Sequence, residues 1–371
     1  MSEDALHSNP VRALRADYQN QRDRFSRAFE ILESAIRDHA FPCAAIAVTH
    51  QDKIVALNGF GHFTYDASVP TPTGDTLFDL ASVSKPVATT TMAMMLYERG
   101  LADLERPVCD IVPEFTSADS RRNLVTIRML LAHSSGLPAY EKLFERARTP
   151  ADLWRAAVST PLATDPGKRS EYSDIGFIIL GVALERLAGE LIDQFCQREI
   201  FGPLAMGHTC FNPPVRARVL IPPTADATSQ GHFIQGEVND QNARALGGVA
   251  GHAGLFASAG DLAIFANCML EGGKPLVRGE TLSIFTRRES HPRSSRSLGW
   301  DTPSWPSQSG KYLSPGSFGH LGYTGTSLWI DPQRQLSITL LTNRTWPSSD
   351  NEAIKQVRPQ FHDAIIEGLD L

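Results

Sequence analysis

The sequence predicts an α+β protein whose antiparallel β-sheet is built from both chain ends and flanked by N- and C-terminal helices. Two observations support this: each end of the chain carries a pair of strand-like segments beside an amphipathic helix, and the middle favours helix. We assign residues 20–75 plus 290–371 to a discontinuous sheet domain and residues 76–289 to a mostly helical domain, with the active site at their interface.

The N-terminal end supplies the first helix and the first strand pair. Residues 1–20 are polar and are expected to be loosely ordered, whereas Asp23–Ala40 repeats apolar side chains at three- and four-residue steps, as an amphipathic helix does. Ala44–Thr49 and Ile54–Gly59 have the composition of strands, and the turn Gln51-Asp52-Lys53 joins them.

The C-terminal end repeats this arrangement. Ser327–Ile330 and Leu336–Asn343 form a second apolar pair across the turn Asp331-Pro332-Gln333-Arg334, and Ile354–Leu369 has helical periodicity.

The middle of the chain is predicted to be helical between loops rich in Pro and Gly. The helical segments are Pro86–Arg99, Ile127–Ala132, Ala151–Val158, Ile175–Leu187, Ile192–Ile200 and Leu262–Leu270. Two irregular stretches, roughly 211–250 and 287–317, are rich in Pro, Ser and Arg. Loops of that length commonly carry function.

Composition excludes several classes of protein. The 371 residues are 42% hydrophobic and 20% charged, which is typical of a globular protein and not of a disordered or collagen-like chain. With 35 Lys plus Arg against 41 Asp plus Glu, the net charge of −6 provides no electrostatic footprint for nucleic acid. No window approaches the ~20 apolar residues of a membrane span.

The N-terminus and the cysteines predict a cytoplasmic protein without a metal. Acidic residues lie close to Met1, at Glu3 and Asp4, and no apolar stretch there resembles a secretory signal. The five cysteines are odd in number, widely spaced and not arranged with His at zinc spacing, so we expect them to be reduced. We also expect no cofactor.

The strongest chemical signal is Ser82 followed by Lys85, the one lysine of the sequence with a serine three positions before it. Residues three apart share one helix face, so the Lys85 amine can reach the Ser82 hydroxyl. A serine becomes a good nucleophile when a neighbouring base takes its proton. The alternative is a pair of solvated side chains on a helix surface.

Two further segments carry groups of the kind that acyl-transfer chemistry needs. A Pro166-Gly167 turn precedes Tyr172 and a helix that Asp174 could cap, and a phenol beside a cation can act as a general base. His320-Leu321-Gly322-Tyr323 precedes the strand Ser327–Ile330, where an exposed N–H could stabilise an oxyanion. The alternatives are a half-buried tyrosine beside a capping aspartate, and a glycine-rich strand entry with His320 on the surface.

In order and spacing these three segments resemble the serine β-lactamase and penicillin-binding-protein superfamily. The resemblance is strongest to the class C β-lactamase-like branch, which holds esterases, D-stereospecific peptidases and DD-carboxypeptidases. It extends from about residue 25 to the C-terminus, and further similar stretches are Ile127–Pro138, Phe201–Met206, Gly254–Ser258 with Asp261-Leu262, and Trp329–Pro332.

The resemblance implies a β-lactamase/transpeptidase-like fold and a role for each matching residue. Ser82 would be the acylated nucleophile, Lys85 its proton-handling partner, and Tyr172 the second base, which activates the deacylating water. The backbone N–H groups of Ser82 and Tyr323 would form the oxyanion hole. The reaction would be acyl transfer through an acyl-enzyme.

Two positions depart from the pattern of the superfamily. Asp174 stands where Asn is usual, and an acid there favours the charged form of Lys85. We therefore expect Lys85 to stay cationic, to lower the pKa of Tyr172 and to leave Tyr172 as the main base. His320 and Leu321 stand where lactamases mostly have Lys and Thr, which removes a cation and a hydroxyl that could bind the carboxylate of a β-lactam.

These features predict a serine hydrolase that cleaves an ester or amide bond, either a carboxylesterase or a hydrolase of D-amino-acid or peptidoglycan-derived peptides. Its partner would be a small ester, peptide or lactam substrate. A β-lactamase or DD-carboxypeptidase is the first alternative, and a penicillin-binding sensor without turnover is the second. His252, within a glycine cluster, could face the cleft or serve packing. Tyr140 and Trp300 could line a hydrophobic acyl pocket, but packing in the core is the favoured interpretation for each.

Overall fold

The computed structural model describes residues 14–226, 231–291, 294–304 and 306–371. In chain order its strands are β1 (Arg15–Ala16), β2 (Cys43–His50), β3 (Lys53–Gly61), β4 (Phe78–Asp79), β5 (Thr209–Phe211), β6 (Thr224–Ala225), β7 (Phe233–Ile234), β8 (Leu255–Ala257), β9 (Phe318–Leu321), β10 (Ser327–Asp331) and β11 (Leu336–Thr342).

The α-helices, also in chain order, are α1 (Gln21–Arg24), α2 (Ser26–Arg37), α3 (Thr91–Glu98), α4 (Ile127–Leu131), α5 (Pro150–Ser159), α6 (Asp174–Ala188), α7 (Ile192–Cys196), α8 (Gln241–Ala245), α9 (Ala259–Leu270), α10 (Gly279–Thr286) and α11 (Ile354–Gly368). Lys85–Thr90 and Gln197–Phe201 are π-helical. Short 3₁₀ turns cover Ala81–Val83, Val108–Asp110, Pro113–Phe115, Ser120–Leu124, Leu143–Glu145 and Val215–Leu220.

A six-stranded sheet joins the two ends of the chain in the order β1-β3-β2-β11-β10-β9. The central pair β2 and β11 is antiparallel, with Ile46 opposite Leu340. Successive side chains of a strand point to opposite faces of the sheet. Both faces are therefore buried, which explains why β2 and β11 are apolar over most of their lengths.

Each face of this sheet packs against a different layer of helices. Helices α2 and α11 cover the face that carries Ile46 and Leu340. Helix α9 covers the opposite face, which carries Ala45 and Leu341, and continues into the core of the helical region. The predicted α+β class and the sheet built from both chain ends are confirmed.

The N-terminal segment differs from the prediction in two places. The chain turns at Phe25, so the single helix predicted over Asp23–Ala40 is formed by α1 and α2. Residues 1–20 were expected to be loosely ordered, but within them Arg15–Ala16 forms a parallel strand beside β3; residues 1–13 lie outside the described part of the chain. A salt bridge of 3.1 Å between the Arg15 guanidinium and the Asp52 carboxylate supports this strand.

A second, smaller sheet in the order β4-β8-β5 was not predicted. It leads directly into the Ser82 segment, because β4 ends at Asp79 and the Leu80 N–H donates to the Leu255 carbonyl at 3.0 Å. The segment after Ser82 also differs from the single helix predicted over Pro86–Arg99, since it begins as a π-helix. In that wider turn Thr91 Oγ1 donates to the Pro86 carbonyl at 2.9 Å.

Among the described residues, no helix combines the length and the apolar character needed to cross a bilayer.

Candidate active site

The backbone around Ser82 is held in an unusual conformation. Ala81, the preceding residue, has a φ of 46°, in the left-handed region that non-glycine residues seldom adopt. The Asp79 carboxylate accepts a hydrogen bond from the Ala81 N–H at 2.8 Å and supports this turn. Strain of this kind persists where the surrounding structure enforces it, and it clusters at functional sites.

Lys85 lies within hydrogen-bond distance of three acceptors and is fully buried. Its Nζ donates to Ser82 Oγ at 3.0 Å, to Asp174 Oδ1 at 2.6 Å and to the His252 carbonyl at 2.9 Å. An ammonium group has three N–H donors and no acceptor. The three contacts therefore fit the charged form of Lys85 and leave no lone pair available.

Tyr172 contacts Ser82 from a second chain segment, which lies just before helix α6. Its hydroxyl donates to Ser82 Oγ at 2.7 Å. The ring centroid lies 4.6 Å from that of His133, and His133 Nδ1 accepts a hydrogen bond from the Ser173 N–H at 3.0 Å. His133 thus packs against the Tyr172 ring and also holds the backbone of the next residue, Ser173.

The predicted capping role of Asp174 is wrong. Ser173 is the N-cap of α6, and its hydroxyl accepts a hydrogen bond from the Gly176 N–H. Asp174 is the first residue of the helix and points its carboxylate at Lys85 instead. Asp174 therefore lies next to Lys85, as the sequence predicted.

Burial and Asp174 set the protonation of Lys85 and Tyr172. Burial alone disfavours the ammonium of Lys85, but the charge of Asp174, helped by Tyr172, raises the pKa of Lys85 above its usual value. Burial and Asp174 likewise raise the pKa of Tyr172, and the opposing effect of Lys85 is smaller. Lys85 is thus cationic and acts to lower the pKa of Tyr172, both as expected, but the burial and the Asp174 charge that raise the pKa of Tyr172 outweigh it.

The candidate oxyanion donors belong to two segments that meet just before Ser82 and line the same cavity. Within the described residues, the backbone N–H groups of Ser82 and Tyr323 donate to no side chain and to no loop carbonyl. Gly322 allows the close approach of the two segments, since a Cβ there would stand 2.5 Å from the Leu80 carbonyl oxygen. Tyr323 is 56% exposed, and its ring centroid lies 4.4 Å from the Arg344 guanidinium.

His320 is buried, which excludes the alternative of a surface histidine. Its Nδ1 lies 2.8 Å from the Leu321 carbonyl oxygen and must be the donor, because a carbonyl only accepts. Burial, with the charges of Arg296 and Lys85, lowers the pKa of His320 well below its usual value. His320 is therefore neutral and supplies no cation.

His252 faces the same cleft as Ser82, which the sequence left open. Its Nε2 lies 2.7 Å from Asp240 Oδ1, and its carbonyl is one of the three acceptors of Lys85. The glycine cluster around it, residues 247–254, thus contributes a backbone acceptor to the site.

A cavity of about 660 Å³ surrounds these groups. Ser82, Tyr172, Asp174 and His320 line it, together with three groups that sequence reasoning missed: Asp240, Arg296 and Arg344. Tyr140 also lines the cavity and is 39% exposed, so its predicted core position is wrong; Trp300 is fully buried as predicted.

The missed residues carry no local sequence signal. Arg296 and Asp240 come from the irregular stretches 287–317 and 211–250, whose paths depend on distant contacts. Arg296 pairs with Asp301 of the same stretch, and Asp240 pairs with His252, just beyond residue 250. In the described part of the chain no group of three His, Cys, Asp or Glu side chains is arranged to hold a metal ion.

Comparison with known proteins places this geometry in context. The model of the Beta-lactamase family matches residues 23–360. A putative D-alanyl-D-alanine carboxypeptidase of Escherichia coli (strain K12) is 30% identical over 351 residues, covering 83% of this chain and 79% of that protein.

Two solved structures show the same fold at lower identity. EstCE1, a hydrolase with promiscuous acyltransferase activity, superposes with a TM-score of 0.76 at 22% identity and covers 93% of this chain and 99% of its own. The octameric penicillin-binding protein homologue from Pyrococcus abyssi gives a TM-score of 0.74 at 19% identity, covering 92% of this chain and 77% of its own.

Proposed function

The chain belongs to the beta-lactamase family of serine hydrolases, and we propose that it hydrolyses a small ester or peptide through an acyl-enzyme formed on Ser82. One observation carries this proposal: Ser82 Oγ lies 3.0 Å from Lys85 Nζ and 2.7 Å from the Tyr172 hydroxyl, inside a cavity of substrate size. A nucleophile in contact with a base and a fixed cation is the arrangement that covalent catalysis requires.

Tyr172 is the general base of the proposed reaction. In its deprotonated form, which the Lys85 ammonium stabilises, it takes the proton of Ser82 Oγ as that oxygen attacks the substrate carbonyl carbon. The N–H groups of Ser82 and Tyr323 then bind the oxyanion. Tyr172 returns the proton to the leaving group, and a water activated in the same way hydrolyses the acyl-enzyme.

Lys85 acts as a permanent cation in this scheme. Its three N–H groups are directed to Ser82, Asp174 and the His252 carbonyl, so it has no free lone pair to accept a proton. Its charge favours the phenolate of Tyr172, against the opposing effects of burial and Asp174.

The substrate class follows from the third segment. Neutral His320 and apolar Leu321 supply neither a cation nor a hydroxyl at the position where lactamases mostly carry both. This supports an ester or peptide substrate over a β-lactam. The similarity to EstCE1 and to the putative carboxypeptidase is in line with that choice.

A specific observation favours carboxypeptidase activity as a second candidate. The Arg296 guanidinium lies 5.0 Å from the centroid of the Tyr172 ring, lines the cavity and is 23% exposed. Its ion pair with Asp301 is long, at 3.6 Å. A cation at this place could bind the terminal carboxylate of a peptide such as D-Ala-D-Ala.

One panel of substrates tests these candidates against each other. We would assay p-nitrophenyl acetate and butyrate, nitrocefin and a D-Ala-D-Ala peptide with the native protein and Ser82→Ala. Steady turnover of the short esters that Ser82→Ala abolishes supports an esterase, and release of D-Ala supports a carboxypeptidase. A stoichiometric burst without turnover would indicate the sensor, and turnover by Ser82→Ala would reject the proposal.

The Arg296→Gln variant separates the two candidates further. If Arg296 binds a substrate carboxylate, its loss raises KM for the D-Ala-D-Ala peptide by about 10- to 100-fold, because a charge-assisted contact is worth roughly 1.5–3 kcal/mol. Turnover of p-nitrophenyl acetate, which has no carboxylate, should change little. Equal losses on both substrates would contradict the assignment.

The cytoplasmic location remains a prediction from the sequence.

A further inference from the structure

The turn Gly322–Thr326 is tied to the Ser82 segment by two threonine hydroxyls. Thr324 Oγ1 donates to the Asp79 carbonyl at 2.7 Å, and Thr326 Oγ1 donates to the Leu80 carbonyl at 2.9 Å. Both threonines are fully buried. The two carbonyls belong to the residues that come directly before Ala81 and Ser82.

Two arginines hold the backbone carbonyls of the same turn. Arg344 Nε donates to the Tyr323 carbonyl at 2.7 Å, and Arg358 donates to the Thr326 carbonyl at 3.2 Å. Arg344 is anchored in turn by hydrogen bonds to the carbonyls of Ser349 and Asn351. The arginines thus hold the backbone of the turn, and the threonines join the turn to the residues just before Ser82.

The two candidate oxyanion donors come from segments about 240 positions apart in the chain, Ser82 and Tyr323. An oxyanion hole needs both N–H groups within about 2.7–3.1 Å of the position that the oxyanion takes. A shift of one segment along the other would separate them. The two threonine hydroxyls join the segments within three residues of each donor.

We propose that Thr324 and Thr326 are positioning residues that hold the Tyr323 N–H and the Ser82 N–H in register for the oxyanion. The inference rests on the proposed function, since it assigns a role within the same acyl transfer. Contacts that act on the oxyanion stabilise the transition state and not the bound substrate, so their loss lowers kcat and leaves KM nearly unchanged.

Paired substitutions separate this role from simple packing. Thr→Val at either position keeps the shape of the side chain but removes the donor, whereas Thr→Ser keeps the donor and removes a methyl group. We expect T324V and T326V to lower kcat on p-nitrophenyl acetate by about 10- to 100-fold, less than the roughly 10²- to 10³-fold loss known for removal of one oxyanion donor, because the donor is displaced and not deleted. T324S and T326S should stay within about threefold of the native rate, because serine keeps the hydroxyl that donates to the carbonyl.

A boronic acid provides a readout that packing alone does not move. Phenylboronic acid forms a tetrahedral adduct on a catalytic serine, and one of its oxygens would occupy the oxyanion hole. The inhibition constant should rise in the Val variants by about the factor that kcat falls. A change confined to KM, an unchanged inhibition constant, or equal losses in Val and Ser variants would overturn the proposal.

Two controls complete the experiment. Thr49, a buried threonine whose hydroxyl bonds that of Ser337 in the sheet, serves as a matched variant: T49V should lower thermal stability and leave kcat unchanged. If a Val variant does not fold, T324C or T326C replaces it, because Cys has the shape of Ser and is a weaker donor. The Cys variant must then show a lower kcat than the Ser variant at the same position. Ser82→Ala tests the proposed function separately, because turnover by this variant would reject the acyl-enzyme on Ser82. If Ser82→Ala is inactive but the Val variants have the native kcat, only the positioning role is rejected.

Discussion

Asp174 is the acid in contact with Lys85, and its charge acts on Tyr172 as well. It raises the pKa of both Lys85 and Tyr172. In the proposed reaction only deprotonated Tyr172 takes the Ser82 proton, so kcat rises with pH as the phenol loses its proton. Asp174→Asn removes the charge that raises the pKa of Tyr172, and the rising limb of the kcat–pH profile should move to lower pH.

Two variants control that experiment. Asp174→Glu keeps the charge, so its rising limb should stay closer to that of the native enzyme than the limb of Asp174→Asn does. Tyr172→Phe has no phenol to titrate and should lose about 10²-fold or more in kcat, the usual contribution of a general base. An active Tyr172→Phe variant, or an Asp174→Asn profile that stays in place or moves to higher pH, would show that Tyr172 is not the base.

At the scale of single residues the sequence predicted much of the candidate site. Ser82, Lys85, Tyr172 and Asp174 converge as their motifs suggested. The net direction of the pKa shift of Tyr172 was not predictable, because it depends on how deeply the ring is buried. Spacing along the chain identifies which groups meet, but not how far water is excluded from them.

At the scale of elements, helix α6 and the glycine cluster 247–254 approach too closely for any side chain between them. A Cβ on Gly251 would lie 2.2 Å from the Phe177 carbonyl oxygen and 2.8 Å from Gly181 Cα. Gly251 precedes His252, whose carbonyl accepts from Lys85. The packing of this loop on α6 therefore positions an acceptor of the active-site lysine.

Gly251→Ala should affect stability and activity together. Forcing a methyl group into this contact is expected to cost about 1–3 kcal/mol of unfolding free energy, as overpacking typically does. It should also lower kcat by moving the His252 carbonyl away from Lys85. Urea unfolding and steady-state kinetics measure the two effects. Gly207→Ala, at an exposed position with no atom near its Cβ, is the matched control, and similar losses in both variants would contradict the argument.

Elements with a clear hydrophobic period were predictable, and very short ones were not. The periodic segments of β2, β11 and α11 occur within one or two residues of their expected bounds. Strands such as β4 and β8 have two and three residues, too few to show an alternating pattern. They form because distant segments pair with them, and that information is not local.

At the scale of the whole molecule, the six-stranded sheet lies between two hydrophobic cores. One core contains Phe361 of α11 and the sheet face of Ile46, and the other contains Phe195 of α7 and the sheet face of Ala45. Helix α9, within the range 76–289 assigned to the helical domain, packs directly on β2 and β11. A continuous core across the predicted boundary predicts that the two parts unfold together.

Two matched substitutions test that cooperativity. Phe361→Ala and Phe195→Ala each remove a buried ring, one from each core, and each should cost about 3–5 kcal/mol of unfolding free energy. If the chain unfolds as one unit, both variants shift the same single urea transition. Single-tryptophan variants that keep Trp329, in the sheet, or Trp154, against the helical core, report on the two parts separately. Independent domains would instead give two transitions, with Phe361→Ala moving the Trp329 signal alone, because a cavity destabilises only the unit that contains it.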